Sequence, residues 1–368
     1  MQRINSYDFY IEARRIGNPA SHYEKVEDDT LALVVDDTLF SALCAGRLSA
    51  GYPPGKAVIE PVWESAGVTP CVVGLNVTIF WNGDDGEVSY TRRYDKSPFR
   101  PRAKQIIAAL LKEELKAATE DHPDEGIEDQ RFLWMVVALE KPAPPPPQPG
   151  RKFSARTVDS SFPVQPRSFE KFNLRWPESS AEPFAVYVSS GVVREIQERT
   201  IETEGRAEQA GVLIGHLAQD IESARIFAVV TAHLEATVSI EAEMDSFKFT
   251  AETFIEIHRR IQLRHSGEIV LGWQHSHHYC PGCPSNPSGT TIFFSSADIA
   301  VQSAAFRSPY MVALVAGRDL ELEPRRPAVR MFGWSSADIK PRHFVQYEIE
   351  SEDFENAEAR SRTVGPAV

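Results

Sequence analysis

The sequence predicts an α/β protein of the α+β type, in which a small α+β domain precedes a mixed sheet flanked by helices. Its 368 residues suffice for two hydrophobic cores, since 42% of them are hydrophobic. Strand-like apolar runs alternate with segments of helical spacing in both halves of the chain. A proline-rich stretch, KPAPPPPQPG, separates these halves. We therefore expect two domains joined by a spacer.

Residues 1–140 are expected to form the first domain. Leu31–Val35 suggests a strand, and the partly alternating run Cys71–Trp81 suggests a longer one. Turn residues then allow Glu87–Tyr94 to return as the second arm of a hairpin. Arg102–Thr119 has the apolar spacing of a helix, and Phe132–Leu139 is apolar enough for a central strand. We find no nucleotide loop, catalytic triad spacing or metal cluster in this half of the sequence, which favours an accessory or recruitment domain.

The segments that follow are expected to differ in order. Residues 141–152 form a linker, because consecutive prolines favour an extended, semi-rigid polyproline helix. A ligand for proline-reading domains is the alternative interpretation of this linker. Residues 153–183 are expected to be an irregular lead-in, residues 184–349 the second domain, and residues 350–368 a flexible polar tail.

The second domain alternates strands with helices. Three helices are expected, and Thr250 has the position of an N-cap for one of them. The expected strands are 184–188, 210–217, 224–231, a strand that ends in two histidines near residue 275, 310–315 and 329–334, and the expected helices are 191–203, 251–264 and 296–306. This order indicates a mixed or largely antiparallel sheet with flanking helices.

Composition argues against several classes of protein. No run approaches the ~18 apolar residues of a membrane span, and the start, MQRINSYDFYIEARR, lacks the apolar core of a secretion signal. The net charge of −13 argues against a phosphate-binding surface. Four cysteines are too few for a disulfide scaffold, so Cys44 and Cys71 are expected to be reduced and buried. We therefore expect a cytoplasmic protein that binds neither nucleic acid nor membranes.

Two histidines at the end of an apolar run are the most informative residues. His275 and His277 follow Ile269–Trp273, which predicts a buried strand, and residues two apart in a strand point to one face. Downstream, Asp298 follows Ser295 as S-x-x-D and opens an apolar helical run. Ligands of the types His, His and Asp would leave one tetrahedral position for water, as in a catalytic rather than a structural zinc site.

These residues resemble the signature of the JAMM (MPN-plus) metallopeptidases, which is a distant Glu, then H-x-H, then S-x-x-D. The correspondence holds at Glu208, His275, His277, Ser295 and Asp298, and it covers roughly residues 185–345. The flanks EQAGVLIGHL and GWQHSH resemble the AMSH branch of ubiquitin-removing enzymes. The resemblance implies a mixed MPN sheet and one catalytic Zn²⁺ held by His275, His277 and Asp298. It also implies that Glu208 is the general acid/base and that Ser295 donates to the oxyanion.

The sequence departs from the family pattern after the second histidine. His278 stands where the family usually has proline, and twenty residues separate His277 from Asp298, about twice the family's spacing. The surplus residues, CPGCPSNPSG, have loop composition, so we expect an insertion beside the site. One hypothesis is a second, structural zinc on Cys280, Cys283 and His278 with an unidentified fourth ligand. The alternative is a loop that contains two free thiols.

Neighbouring residues offer competing assignments. Asp338 repeats the SSADI context, but its segment does not follow the histidine strand, and it is expected to be a loop or cap residue. Glu202 and Glu204 lie near Glu208, and a charged helix end accounts for both. Trp273 is expected in the core, with an aromatic wall for a substrate tail as the alternative. H-E-x-x-H is absent from the sequence, and a base deaminase would need H-x-E.

The resemblance implies hydrolysis of a peptide or isopeptide bond at the end of a ubiquitin-like protein, whose extended tail would bind by strand addition. The expected partners are that protein and its conjugates, together with its activating and conjugating enzymes. The resemblance further suggests a bacterial operon of this kind that is tied to phage defence. The alternatives are a peptidase that processes a sulfur-carrier protein, and a non-catalytic MPN scaffold that only binds partners.

Overall fold

The computed structural model describes residues 2–18, 20–48, 55–64, 71–83, 86–117, 132–141, 162–172, 174–177, 182–202, 208–236, 249–277, 292–317 and 327–348. The chain divides into two compact units, residues 1–162 with 335–338 and residues 163–334 with 339–368. The described residues form two mixed β-sheets and five α-helices. The α+β class predicted from the sequence is confirmed.

The first sheet has seven strands in the order β1-β4-β5-β7-β2-β3, and β6 also pairs with β5. Only β1 and β4 run parallel, and the other pairs are antiparallel. The elements of this unit are β1 (Gln2–Asn5), β2 (Tyr7–Arg15), β3 (Ser21–Lys25), α1 (Asp28–Cys44), β4 (Lys56–Glu64), β5 (Cys71–Gly83), β6 (Gly86–Tyr94), α2 (Arg100–Ala117) and β7 (Phe132–Glu140).

Three expectations for this unit are confirmed. β5 and β6 form the predicted hairpin, with Trp81 opposite Val88. Helix α2 covers most of the predicted helical segment, and β7 lies between β5 and β2 as a central strand. Cys44 and Cys71 are half-buried, which is less than the full burial expected of them.

Helix α1 corrects one expectation. Leu31–Val35, expected as a strand, lies inside this helix. Nearly every residue from Leu31 to Leu43 is buried, so the helix lacks the polar face that would have revealed its period. Periodicity alone cannot assign a short apolar run to a strand or a helix. Here the run belongs to a helix that is buried on all sides.

The second sheet has nine strands in the order β15-β14-β13-β12-β10-β11-β9-β16, and β8 also pairs with β10. The elements are β8 (Gln165–Arg167), β9 (Ala185–Ser189), α3 (Ser190–Glu202), β10 (Ala210–Asp220), β11 (Ile226–Glu235), α4 (Ala251–Arg264), β12 (Ile269–Ser276), α5 (Ser296–Ala305), β13 (Val312–Gly317), β14 (Ala328–Ser335), β15 (Asp338–Arg342) and β16 (Val345–Tyr347). The three predicted helices are confirmed, and Thr250 caps α4 in a capping box. The short strands β8, β15 and β16 were not predicted.

Strand β12 lies at the centre of this sheet. It pairs with β10 in antiparallel fashion, and with β13 in parallel fashion through a connection that contains α5. A parallel pair requires such a crossover, so α5 is brought back beside the end of β12. Val212, Trp273 and Phe306 belong to the hydrophobic core under these elements. None of the helices in the described ranges combines the length and hydropathy that crossing a bilayer requires.

Candidate metal centre

Strand β12 carries the two histidines. Trp273 and His275 are two residues apart and point to one face, and their rings stack with centroids 4.5 Å apart. His277 follows the strand, and its backbone N–H donates to the carbonyl of Ala316 on β13 at 2.8 Å. This bond continues the pairing with β13 beyond the end of β12 and holds His277 next to His275.

Helix α5 supplies the carboxylate. Ser295 is its N-cap, and the Ser295 Oγ accepts from the Asp298 N–H at 3.1 Å. In return, the Asp298 carboxylate accepts from the Ser295 N–H at 2.7 Å. The S-x-x-D pattern is therefore a capping box, which satisfies backbone donors that a helix start leaves unpaired. It also fixes the orientation of the Asp298 side chain in the first turn of α5.

Three donor side chains converge at this place. His275 Nε2 lies 3.0 Å from His277 Nε2 and 3.1 Å from Asp298 Oδ1, and His277 Nε2 lies 3.5 Å from Asp298 Oδ2. The exposed fractions of His275, His277 and Asp298 are 1%, 8% and 7%. Among the His, Cys, Asp and Glu residues in the described ranges, these three form the one group with metal-ligand geometry.

The separations fit a tetrahedral zinc ion. Donor atoms about 2.0–2.1 Å from such an ion lie ~3.3 Å from one another. His275 Nε2 lies 3.0 Å from His277 Nε2 and 3.1 Å from Asp298 Oδ1, and His277 Nε2 meets the other carboxylate oxygen, Oδ2, at 3.5 Å. Imidazole and carboxylate are ligand types that zinc accepts, and burying them together without a cation costs free energy. The residues present therefore fit a zinc ion held by His275, His277 and Asp298.

The charge state of Asp298 suits this interpretation. Burial by itself raises the pKa of Asp298, but hydrogen bonds from His275 and His277 and the N–H of Ser295 outweigh burial and hold that pKa well below its usual range. The carboxylate is therefore ionised at neutral pH, which is the form that binds a cation.

Glu208 lies two residues before β10 and is half-buried. In the register of β10 and β12, Ala210 lies opposite His275. Gln209 and Ser276 then exchange two hydrogen bonds, of 2.9 and 3.0 Å. Continuing the register by one more residue places Glu208 opposite His277. Since opposite residues of antiparallel strands share a face, the register directs Glu208 to the side of the sheet that carries the histidines.

Residues 182–302 match the family model described as JAB1/Mov34/MPN/PAD-1 ubiquitin protease. This stretch is similar to JAB/MPN domains. The matched range includes Glu208 and Gln302 and all three residues that form the candidate centre. The JAB/MPN family includes metallo-isopeptidases. No curated protein matches the chain.

Asp338, the competing carboxylate, is not brought to the candidate metal centre. It is buried at the start of β15 and lies outside the metal-ligand group. The expectation of a loop or cap residue is therefore wrong. Ser336 and Ala337 adopt positive φ angles of 54° and 56° and form the tight turn after β14, so the chain re-enters the sheet at Asp338.

The remaining predicted residues stand as follows. Glu202 is exposed at the end of α3. Trp273 is only 1% exposed, so its assignment to the core is confirmed and the aromatic-wall alternative is wrong. Glu204, His278, Cys280 and Cys283 lie outside the described residues, and the second zinc stays a prediction.

Sequence reasoning missed a buried amide beside the candidate metal centre. Gln302 is 0% exposed, and its Oε1 accepts from the Trp273 indole N–H at 2.6 Å. It lies one helical turn after Asp298, so both side chains share a face of α5. A long polar residue at this spacing, within the run AVQSAA of otherwise small or apolar residues, is the signal that could have identified it.

A second buried polar network, also missed, lies on the opposite face of β12. Gln274 Nε2 lies 3.0 Å from His233 Nε2, and His233 Nδ1 lies 3.5 Å from the carboxylate of Glu195 on α3. The contact with His233 lowers the pKa of Glu195. Gln274 alternates along β12 with Trp273 and His275. This network therefore holds β12, which carries His275, from the face opposite the candidate centre.

Proposed function

We propose that the protein is a zinc-dependent peptidase or isopeptidase that cleaves after the C-terminus of a ubiquitin-like protein. The observation that carries this proposal is the buried group of His275, His277 and Asp298, whose donor atoms lie 3.0–3.5 Å apart. Two buried imidazoles and a carboxylate at one point are a ligand set for a zinc ion with an open coordination position, which a scaffold that only binds partners does not need.

His275, His277 and Asp298 would hold the zinc and leave a fourth coordination position for water or substrate. When bound there, zinc polarises a carbonyl group and makes water a nucleophile near neutral pH. The chain contributes the orientation of the ligands, since β12 holds the imidazoles and the capping box of α5 holds the carboxylate. Burial of these side chains keeps bulk water from screening the charges.

Glu208 is the general acid/base in this proposal. The register of β10 and β12 supports that role, because it sets Glu208 opposite His277 at the end of the sheet. Its carboxylate would accept a proton from the attacking water and then transfer that proton to the leaving amine. Half-burial suits such a group, which must be held in place and yet reach the substrate.

Ser295 is the proposed donor to the oxyanion that develops on the scissile carbonyl. Its Oγ accepts from the Asp298 N–H, and a hydroxyl that accepts keeps its own O–H as a donor. The backbone of Ser295 is fixed by its bond to the Asp298 carboxylate. The serine is thus preorganised, which is the condition under which one donor contributes strongly to a hydrolytic rate.

The proposed substrate is the extended tail of a ubiquitin-like protein, joined either to a target lysine or to a short C-terminal extension. The family description, ubiquitin protease, supports the substrate class. The first unit and the insertion after His277 would select the modified target. A lysine-linked ubiquitin conjugate and ubiquitin with a linear C-terminal extension, incubated in parallel, separate deconjugation from the processing of a precursor such as a sulfur-carrier protein.

The proposal includes a setting, which is a bacterial operon that also encodes the ubiquitin-like protein with its activating and conjugating enzymes and acts against phage. The resemblance of the active-site flanks to deubiquitinating enzymes motivates it. Genes for these partners next to the gene for this chain would support the setting, and a genome without them would contradict it.

Metal content and cleavage, measured together, test the proposed function. Glu208→Ala is expected to keep one zinc at the centre and lose turnover, because Glu208 moves protons and is not a ligand. Asp298→Ala is expected to lose both, because two histidines alone hold zinc weakly. Glu202→Ala, a change of the same type at an exposed residue, is the control and should cleave like the wild type. Undiminished cleavage by Glu208→Ala or Asp298→Ala would refute the assignment.

A further inference from the structure

The ring of His275 lies in an unusual environment for a metal ligand. A ligating histidine normally donates its second ring N–H to a carboxylate, a carbonyl or water, and this bond orients the imidazole. Nε2 of His275 faces the candidate metal site, so Nδ1 is its second ring nitrogen. His275 Nδ1 is buried and has no hydrogen-bond partner within the part of the chain that the structure describes. Another contact must therefore fix the plane of this ring.

Trp273 supplies that contact. Its ring stacks on the imidazole of His275 at 4.5 Å with an interplanar angle of 13°. The same indole stacks on Phe306 at 5.7 Å, also at 13°. Trp273, His275 and Phe306 are each at most 1% exposed, so none of the three rings can tilt without disturbing close packing.

Gln302 fixes the indole in turn. Its Oε1 accepts from Trp273 Nε1 at 2.6 Å, and its Nε2 donates to the Phe306 carbonyl at 3.0 Å and to the Met311 carbonyl at 3.4 Å. A buried amide that uses both its oxygen and its nitrogen in this way has one preferred orientation. Because Gln302 lies one turn after Asp298, its bond to Trp273 ties the helix of one ligand to the strand of another.

We propose that Trp273 and Gln302 are positioning residues of the metal centre. Together they fix the ring plane of His275 and the distance between β12 and α5, a role that a hydrogen bond from His275 Nδ1 would otherwise have. The inference rests on the proposed zinc site and extends it to two residues that touch neither metal nor substrate. A fixed ring plane keeps Nε2 directed at the metal, so the loss of either residue weakens zinc binding.

Zinc affinity, measured by competition with a chromophoric chelator at fixed pH, tests this inference without reference to turnover. Trp273→Leu removes the stack and should raise the zinc Kd on the order of 10-fold to 100-fold, the range found when the outer contacts of metal ligands are removed. Trp273→Phe keeps an aromatic ring and should recover part of that loss. Gln302→Met removes the amide at similar volume and should weaken binding as well. Combining Trp273→Phe with Gln302→Met should cost little beyond Gln302→Met alone, because both remove one shared bond.

Tyr187→Phe is the matched control. Tyr187 on β9 is 0% exposed, its hydroxyl donates to the Arg175 carbonyl at 2.8 Å, and its core cluster contains none of Trp273, Gln302 and Phe306. This change removes a buried donor from the same sheet and should lower the melting temperature without changing the zinc Kd. If Trp273→Leu does not fold, Trp273→Phe and Gln302→Met decide the question.

The outcomes separate the inference from the proposed function. A wild-type protein that binds no zinc refutes the function and the inference together. Wild-type zinc affinity in Gln302→Met and in the Trp273 variants that fold refutes the positioning role alone. An equal loss of affinity in Tyr187→Phe also refutes it, because general loosening of the core would then account for the effect.

Discussion

Asp298 and His216 show how partners decide the state of a buried ionisable side chain. Asp298 meets two imidazoles and a backbone N–H, which keep it ionised although it is buried. His216 on β10 is 7% exposed, and its Nδ1 has no hydrogen-bond partner among the described residues. Desolvation by burial lowers the pKa of His216 to about 4, and the positive charge of Arg167 contributes a smaller part of this shift.

A neutral, buried His216 predicts a specific dependence of stability on pH. Because the pKa is depressed in the folded state, the stability that depends on His216 is complete above pH 6.5, its ordinary pKa, and is lost as the pH falls from 6.5 toward about 4. His216→Leu should remove this component, which amounts to ~3 kcal/mol in the free energy of unfolding. Urea unfolding of both proteins across this range measures it. His258→Gln, on the exposed face of α4, should keep the wild-type slope, and an unchanged slope in His216→Leu would contradict the prediction.

Residue spacing identified the candidate ligands but not the residues that support them. His275 and His277 could be paired from sequence because a strand directs side chains two apart to one face. Ser295 and Asp298 could be paired because a capping box is local. Gln302 and His233 meet their partners across 29 and 41 residues of sequence, and no local period encodes contacts of that range.

At the scale of elements, the centre depends on the close approach of β12 to β13. Gly272 permits this approach, with a φ of +152°. A Cβ atom at this position would lie 1.8 Å from the carbonyl oxygen of Val312. Because His275 follows three residues later on the same strand, any shift of β12 away from β13 moves a ligand.

Gly272→Ala is therefore expected to destabilise the second unit by at least ~2 kcal/mol and to weaken zinc binding. Thermal unfolding and the zinc Kd measure the two effects. The control is Gly191→Ala at the start of α3, where the nearest atom to a new Cβ is Ser189 Oγ at 3.5 Å and the φ is ordinary. That change should leave stability unchanged or slightly raised. A Gly272→Ala protein as stable as Gly191→Ala would show that β12 and β13 can separate at no cost.

Elements with a clear period could be predicted, and those without one could not. Helix α4 carries a capping box, and the apolar run before His275 forms β12, so both follow from sequence. Helix α1 is buried almost all round and was mistaken for a strand, because its apolar run shows no amphipathic period. The three-residue strands β8 and β16 are defined by pairing with β10 and β9 and have too few residues to show a pattern.

At the scale of the whole molecule, the candidate centre would link metal binding to folding. Its ligands lie on β12, directly after it, and on α5, and the crossover to β13 brings these elements together. The unfolded chain cannot hold three ligands at these distances. An ion that binds only the folded state stabilises that state by mass action.

Zinc at about 100 times its Kd should raise the free energy of unfolding of the second unit by ~2.7 kcal/mol. This corresponds to a rise of roughly 5–10 °C in its melting temperature, measured by calorimetry with and without the metal. Asp298→Ala should show no such rise. A rise of equal size in Asp298→Ala would place the stabilising zinc elsewhere. Cys280→Ser combined with Cys283→Ser, which should bind one zinc fewer if the second site exists, would then test that location.

The sequence by itself determined the types of the candidate ligands, their order and the elements that carry them. The spacing of residues within a short segment is enough to indicate a strand, a helix cap or a buried apolar run. The tertiary structure brought Asp298, and not Asp338, to the histidines, as the order of the segments along the chain predicts, although both residues share the same local context. Only the tertiary structure shows that Trp273 packs between His275 and Phe306 and that its indole N–H is bonded to Gln302. The physical reason is that these contacts depend on strand pairing and crossover, which bring together residues that have no periodic relation in the chain.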